Sequence, residues 1–170
     1  MKPKRFFVIV HNIRSLYNVG SIFRTADAFG ITKIYLTGYT GTPANPIHQK
    51  KIAKVALGAE KWVAWEYKPS AVRLIKKLKE QKVKIIALEN NISLSLNSSL
   101  LRGKGRVGLL YKFKPKFPLA LILGEETKGV PKAILKLCDE IIEIPMKGKK
   151  ESLNVSVAFG IAACHISQLT

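Results

Sequence analysis

Arg24, Glu126, Ser152 and Asn154 are polar residues set beside apolar runs, where a small fold can gather them. The clearest case lies near the C-terminus. A strand-like run, Ile141-Ile142-Glu143-Ile144, stops at Pro145 and continues through Met146-Lys147-Gly148. The chain then enters an apolar helix as Glu151-Ser152-Leu153-Asn154-Val155-Ser156-Val157-Ala158. Serine and asparagine at a helix start cap free backbone N–H groups. Two earlier segments share this form of strand end, polar loop and helix: Asn12 to Gly30 and Leu121 to Gly129. Three such loops in one small domain can surround a single site.

In the first segment, Asn18 is placed to cap a helix, and Gly20 permits the close approach of another backbone or a ligand. Arg24 has two readings. The simpler one is an i,i+3 pair with Asp27. The sharper one is a grip on a phosphate or a developing anion. The second segment, Leu123-Gly124-Glu125-Glu126-Thr127-Lys128-Gly129-Val130-Pro131, has the two glycines of a phosphate loop. Val130 stands where that motif needs lysine, and Pro131 where it needs serine or threonine. Two glutamates also repel a polyphosphate, so an NTPase reading fails. In the third segment Lys147, Lys149 and Lys150 read most simply as a solvated basic turn, one that would also suit an RNA backbone.

These loops need elements to hold them. Strands are expected at Arg5–Val10, Lys33–Thr37, Trp62–Tyr67, Val83–Leu88, Leu119–Leu123 and Asp139–Ile144. Helices are expected at Asn18–Phe29, Gln49–Leu57, Ser70–Gln81, Pro131–Leu137 and Ser152–Gln168. Residues 89 to 117 read as a long loop or hairpin, with a possible strand at Val107–Phe113. Near-continuous apolar strands alternating with helices predict an α/β fold, a mainly parallel sheet with helices on both faces. At 170 residues the chain is expected to be one domain, 1–170.

The composition is apolar enough for a globular protein but far from neutral: 29 Lys+Arg against 11 Asp+Glu give +18. That excess points to a polyanion such as nucleic acid rather than to a merely solvated surface. Six of the 11 acids (Glu125, Glu126, Asp139, Glu140, Glu143, Glu151) nevertheless fall between 125 and 151, around two of the three loops. Cys138 and Cys164 read as buried free thiols, and the scattered His11, His48 and His165 give no metal cluster. No stretch is long enough to span a membrane, and the N-terminal apolar run is too short for a signal peptide. A cytoplasmic protein is expected.

Taken in order, the three segments resemble the sequence motifs of the SPOUT superfamily, in its SpoU/TrmH branch of RNA ribose 2′-O-methyltransferases. The matching residues are Asn18-Val19-Gly20 with Arg24-Thr25-Ala26, Leu123-Gly124-x-Glu126-x-Lys128-Gly129, and Ile144-Pro145-Met146 with Glu151 to Ala158. The resemblance implies a deep C-terminal trefoil knot, S-adenosylmethionine as methyl donor, and a homodimer whose active site draws on both subunits. It implies cofactor contacts from Leu88, Gly124, Ile144, Met146, Ser152 and Leu153, and catalytic roles for Arg24 with Asn18, Glu126, Ser152 and Asn154. Arg24 acts there either as the base or as a stabiliser of phosphate and alkoxide, with Glu126 orienting it or shaping the cofactor loop. The implied partner is tRNA or rRNA.

Many relatives carry extra RNA-binding parts. This chain runs from the first strand to the last helix, so its core is expected to find RNA unaided, through Lys50, Lys51, Lys54, Arg102, Lys104, Arg106, Lys112, Lys114 and Lys116. The long 98–110 segment is expected to contribute. Two other readings compete: a catalytically silent RNA-binding or assembly protein on the same fold, and a SPOUT enzyme that methylates a base.

Overall fold

The apolar strand runs are those of a sheet covered on both faces. The computed structural model describes residues 4–90 and 106–169. In chain order these form β1 (Phe6–His11), α1 (Leu16–Ala28), β2 (Lys33–Thr37), α2 (Pro46–Ala56), α3 (Ala59–Trp62), β3 (Trp65–Lys68) and α4 (Ala71–Glu80). There follow β4 (Lys84–Leu88), β5 (Arg106–Leu109), a 3-10 turn (Leu110–Lys112), β6 (Leu119–Leu123), α5 (Lys132–Leu135), β7 (Glu140–Glu143) and α6 (Val155–Gln168). Among the described residues, seven strands make one sheet in the order β3-β2-β1-β6-β4-β7-β5. Every pairing in it is parallel.

Successive side chains of a strand point to opposite faces, and each face here has its own core. Phe6, Val8 and Val10 of β1 pack with Val19, Ile22 and Phe23 of α1 and with Phe159 and Ile166 of α6. Phe7 and Ile9 face the other way, toward Leu74, Ile75 and Leu78 of α4 and Ile134 of α5. Thus α1, α2 and α6 cover one face, and α4 and α5 the other. Gly20 shows why α1 and α2 can lie so close: a Cβ there would come within 2.5 Å of the Ile52 carbonyl oxygen. We expect Gly20→Ala to destabilise the fold by about 2 kcal/mol through overpacking, read as a Tm lower by about 5 °C.

Several local expectations change. Asn18 does not cap α1; Ser15 does, its hydroxyl accepting from the Asn18 N–H at 3.3 Å. The helix therefore starts earlier, which places Asn18 inside the first turn with its amide free for other work. Trp62 ends α3 rather than opening β3, and its indole N–H donates to Asp27 at 2.8 Å. The Arg24–Asp27 pair is not made: among the described residues Arg24 has no ion pair within 4.0 Å, and Asp27 is taken by the indole. The last helix begins at Val155 with Asn154 as its cap, so Ser152 lies in the loop before it. β5 is no hairpin arm, because it pairs in parallel with β7. Cys138 is buried as expected, and burial pushes its thiol up to about 12, whereas Cys164 is only half-buried. Most of the 98–110 segment, with Arg102 and Lys104, lies outside the described residues.

Candidate functional site

Parallel strands direct their carboxyl ends, and the loops that follow them, to one edge of the sheet, where ligands of open α/β folds bind. Here the edge is built by the segments after β1, β4, β6 and β7. After β1, Asn12 takes a left-handed turn (φ 58) and its Oδ1 accepts from the Tyr39 N–H at 3.2 Å. The Thr40 hydroxyl accepts from the Ile13 N–H at 3.1 Å. These bonds lead the chain sharply into α1. After β6, Gly124 and Gly129 fold the loop back on itself. A Cβ on Gly124 would fall inside the backbone of Gly129 and Val130, and Gly129 itself has φ +66. Glu125 and Gly129 form an antiparallel bridge within the loop.

Glu126 joins the β6 loop to the start of α1. Its carboxylate accepts from the Arg14 and Ser15 N–H groups, each at 3.2 Å, and from the Asn18 amide Nδ2 at 3.0 Å. A carboxylate at a helix N-terminus also meets the favourable end of the helix dipole. Burial pushes its pKa up, but its own backbone N–H, those of Arg14 and Ser15, and the Asn18 amide together hold it below the usual value. Asn18 Oδ1 in turn accepts from Asn154 Nδ2 at 3.1 Å. Asn154 Oδ1 accepts from the Ser156 N–H at 2.9 Å and from its hydroxyl at 2.7 Å. The chain Asn154 to Asn18 to Glu126 thus fixes both amide orientations and ties all three segments together.

Beside this chain opens a cleft of about 470 Å³, the size of an ordinary small-molecule site. Leu88, Gly124, Glu126, Ser152 and Leu153 line it. Ile144 packs against the core instead, and neither it nor Met146 lines the cleft. Arg24 is exposed and also stands outside the lining. Six residues on from Asn18, it lies about 120° around α1 from that side chain. Among the described residues Glu126 makes no ion pair with Arg24; its carboxylate bonds Arg14, Ser15 and Asn18. Among the lining residues that sequence reasoning passed over is Glu89, a carboxylate immediately after the apolar run of β4. Its position at the carboxyl end of a parallel strand was the available signal.

The cleft is part apolar and part polar. Leu88, Leu123, Leu135 and Leu153 supply apolar wall, while Asn90, Thr127 and Ser152 supply polar groups. A helix long and apolar enough to cross a membrane is absent among the described residues.

The SpoU rRNA Methylase family matches this sequence over residues 5–164. The 23S rRNA (guanosine-2′-O-)-methyltransferase RlmB of Yersinia pestis is 30% identical over 156 residues, 92% of this chain and 56% of that protein. The Escherichia coli K12 protein of the same name is 30% identical over 156 residues, with 92% and 57% covered. This chain thus spans a little over half the length of these relatives. Among solved structures, the A. aeolicus TrmH/SpoU tRNA modifying enzyme superposes with a TM-score of 0.77 at 27% identity, over 98% of this chain and 76% of that one. The fold is also that of an AdoMet-bound rRNA methyltransferase from Sinorhizobium meliloti, with a TM-score of 0.79 at 22% identity over 96% and 56% of the two chains.

Proposed function

The chain belongs to the SpoU rRNA methylase family, and from that membership we propose that it transfers a methyl group from S-adenosylmethionine to a ribose 2′-hydroxyl of tRNA or rRNA. The observation that carries this reading is the hydrogen-bonded chain Asn154–Asn18–Glu126 at the mouth of a nucleoside-sized cleft. When bound, S-adenosylmethionine supplies a methyl group already activated by a sulfonium. Leu88, Gly124, Ser152 and Leu153 would hold it in the cleft, and Ile144 and Met146, at the start of the third segment, are the further contacts that the family resemblance implies.

The protein's remaining task is the nucleophile. A ribose hydroxyl attacks only as its proton leaves, and it must be held in line with the methyl carbon. Arg24 is fit to grip the adjoining phosphate and the forming alkoxide, since a guanidinium keeps its charge and presents a fork of donors. Asn18, Asn154 and Ser152 orient the groups around it, and Glu126 holds the cofactor loop against α1. The proton passes to water or phosphate.

Arg24 lies outside its own cleft, which supports a homodimer in which one subunit's Arg24 serves the other's site. Tyr17 on the Arg24 face of α1, and Val157 and Ile161 on α6, are exposed apolar residues suited to such an interface. The trefoil knot has topological support. β7 is inserted between β4 and β5, the strands that the connection through residues 89–105 joins, and the chain then turns back to α6 over the opposite core. We read 1–170 as one such domain, working in the cytoplasm. Exposed Lys50, Lys51 and Lys54 of α2 and Lys112, Lys114 and Lys116 supply positive surface for RNA.

The deciding experiment is calorimetric titration with S-adenosylmethionine, followed by transfer of labelled methyl to RNA and nucleoside analysis. Saturable binding near one cofactor per subunit and a 2′-O-methylnucleoside product are expected. A methylated base would replace the ribose reading, and a folded dimer that binds no cofactor would leave only an RNA-binding protein.

A further inference from the structure

Glu89 stands directly after β4, in the wall of the cleft. Its Oε2 accepts from the Val130 N–H at 2.6 Å, and its Oε1 from the Asn90 N–H at 2.9 Å. Gly129 lies on the carboxylate so closely that a Cβ there would overlap it. Burial pushes the Glu89 pKa above its ordinary value, against the opposing pull of the Val130 and Asn90 N–H groups. Both oxygens act as acceptors, the arrangement of an anion. A part-buried carboxylate that makes no ion pair among the described residues opposes stability. Such groups in clefts are candidates for function.

The β6 loop is held at two places by two carboxylates. Glu126 secures its first half to the start of α1. Glu89 secures Val130, at its far end, to the end of β4. Between them Gly124 rests on the backbone of Gly129. The neighbouring Asn90 donates to the Glu151 carbonyl at 3.4 Å, so the same strand end also reaches the third segment.

We propose that ionised Glu89 is a positioning residue for the cofactor: it fixes the Gly129–Val130 half of the loop, and with it the backbone wall against which S-adenosylmethionine binds. This rests on the reading of the cleft as the cofactor site. Glutamine cannot replace it, because one end of an amide accepts and the other only donates. One of the two N–H groups would then face another donor.

The test is calorimetric titration of wild type and Glu89→Gln with S-adenosylmethionine at about pH 8, where the carboxylate is charged, together with the Tm of each unliganded protein. The cofactor Kd is expected to rise about tenfold in the variant. Its unliganded Tm is expected to change little, because the N–H group left facing a donor offsets the gain from removing a part-buried anion. At saturating cofactor kcat should stay within about threefold, since other bonds hold Asn18, Glu126 and Asn154. A lower Tm with unchanged Kd would mark a merely structural residue and overturn the proposal.

If the variant does not fold, wild type alone decides through pH. The other titratable groups lining the cleft are Glu125, Glu126, Lys128, Lys132 and Glu151. Glu126 is held below the usual value and so stays charged while Glu89 gains its proton. Kd should therefore rise as the pH falls through the window just above ordinary glutamate, as Glu89 gains its proton. A flat Kd across that window would sink the idea. A wild type that binds no S-adenosylmethionine defeats the reading of the cleft itself. One that binds, beside a Glu89→Gln that binds equally well, defeats only the role given to Glu89.

Discussion

Arg24→Ala is expected to lower methyl transfer by about a thousandfold, as does loss of one preorganised charge-stabilising donor, while cofactor affinity stays within error. The split follows from where the residue stands. Arg24 is exposed and unpaired among the described residues, and it lies off the cleft of its own chain. Its removal therefore disturbs neither the core nor the cofactor wall. In the role proposed for it, what is lost is stabilisation of charge that develops only as the hydroxyl is deprotonated, so the effect belongs in kcat rather than in binding. Lysine should recover little, because a point charge cannot reproduce the guanidinium's fork. The measurement is single-turnover transfer to RNA beside calorimetry with S-adenosylmethionine. A variant that retains transfer would remove Arg24 from the mechanism.

Gly124→Ala should act in the opposite way, weakening cofactor binding by at least about a hundredfold. The added methyl has no room: it would fall within the backbone of Gly129 and Val130, which cannot move aside like a side-chain tip. Opening that contact separates the two halves of the loop and withdraws the wall on which the cofactor rests. Near-normal affinity in this variant would show that the loop's fold does not form the site. The two variants together also test the shared active site. With cofactor held well below the weakened Kd, each homodimer is nearly inactive, for a different reason. Subunits exchanged at random should regain about a quarter of wild-type activity, because half the dimers are mixed and each has one complete site. No recovery after confirmed exchange would place Arg24 and the cleft on the same subunit.

How far the sequence reached is plainest at Asn18. Its type and its place at the head of an apolar helix suggested a cap, a local role that local rules describe well. The cap is Ser15 instead, and Asn18 spends its amide on Glu126 and Asn154, residues 108 and 136 positions away. Arg24 teaches the same lesson. Its i,i+3 neighbour Asp27 is claimed by the Trp62 indole, a partner 35 residues distant. Glu89 was passed over because a single acid after a strand has no local meaning. It becomes significant only beside Val130 and beneath Gly129.

By itself the sequence determined the alternation of strands and helices, the apolar runs that demand a parallel sheet covered on both faces, the excess of positive charge, and the three loops worth watching. Those features are written in the order of residues, because strand alternation, helix periodicity and net charge are local or additive. Only the tertiary structure decided the strand order, the insertion of β7 between β4 and β5, and the contact of Gly124 with the Gly129 backbone. It also decided which polar groups bond to one another. Hydrogen bonds are short and directional, so their partners are chosen by the packing that brings distant segments within about 3 Å, and no spacing along the chain carries that information.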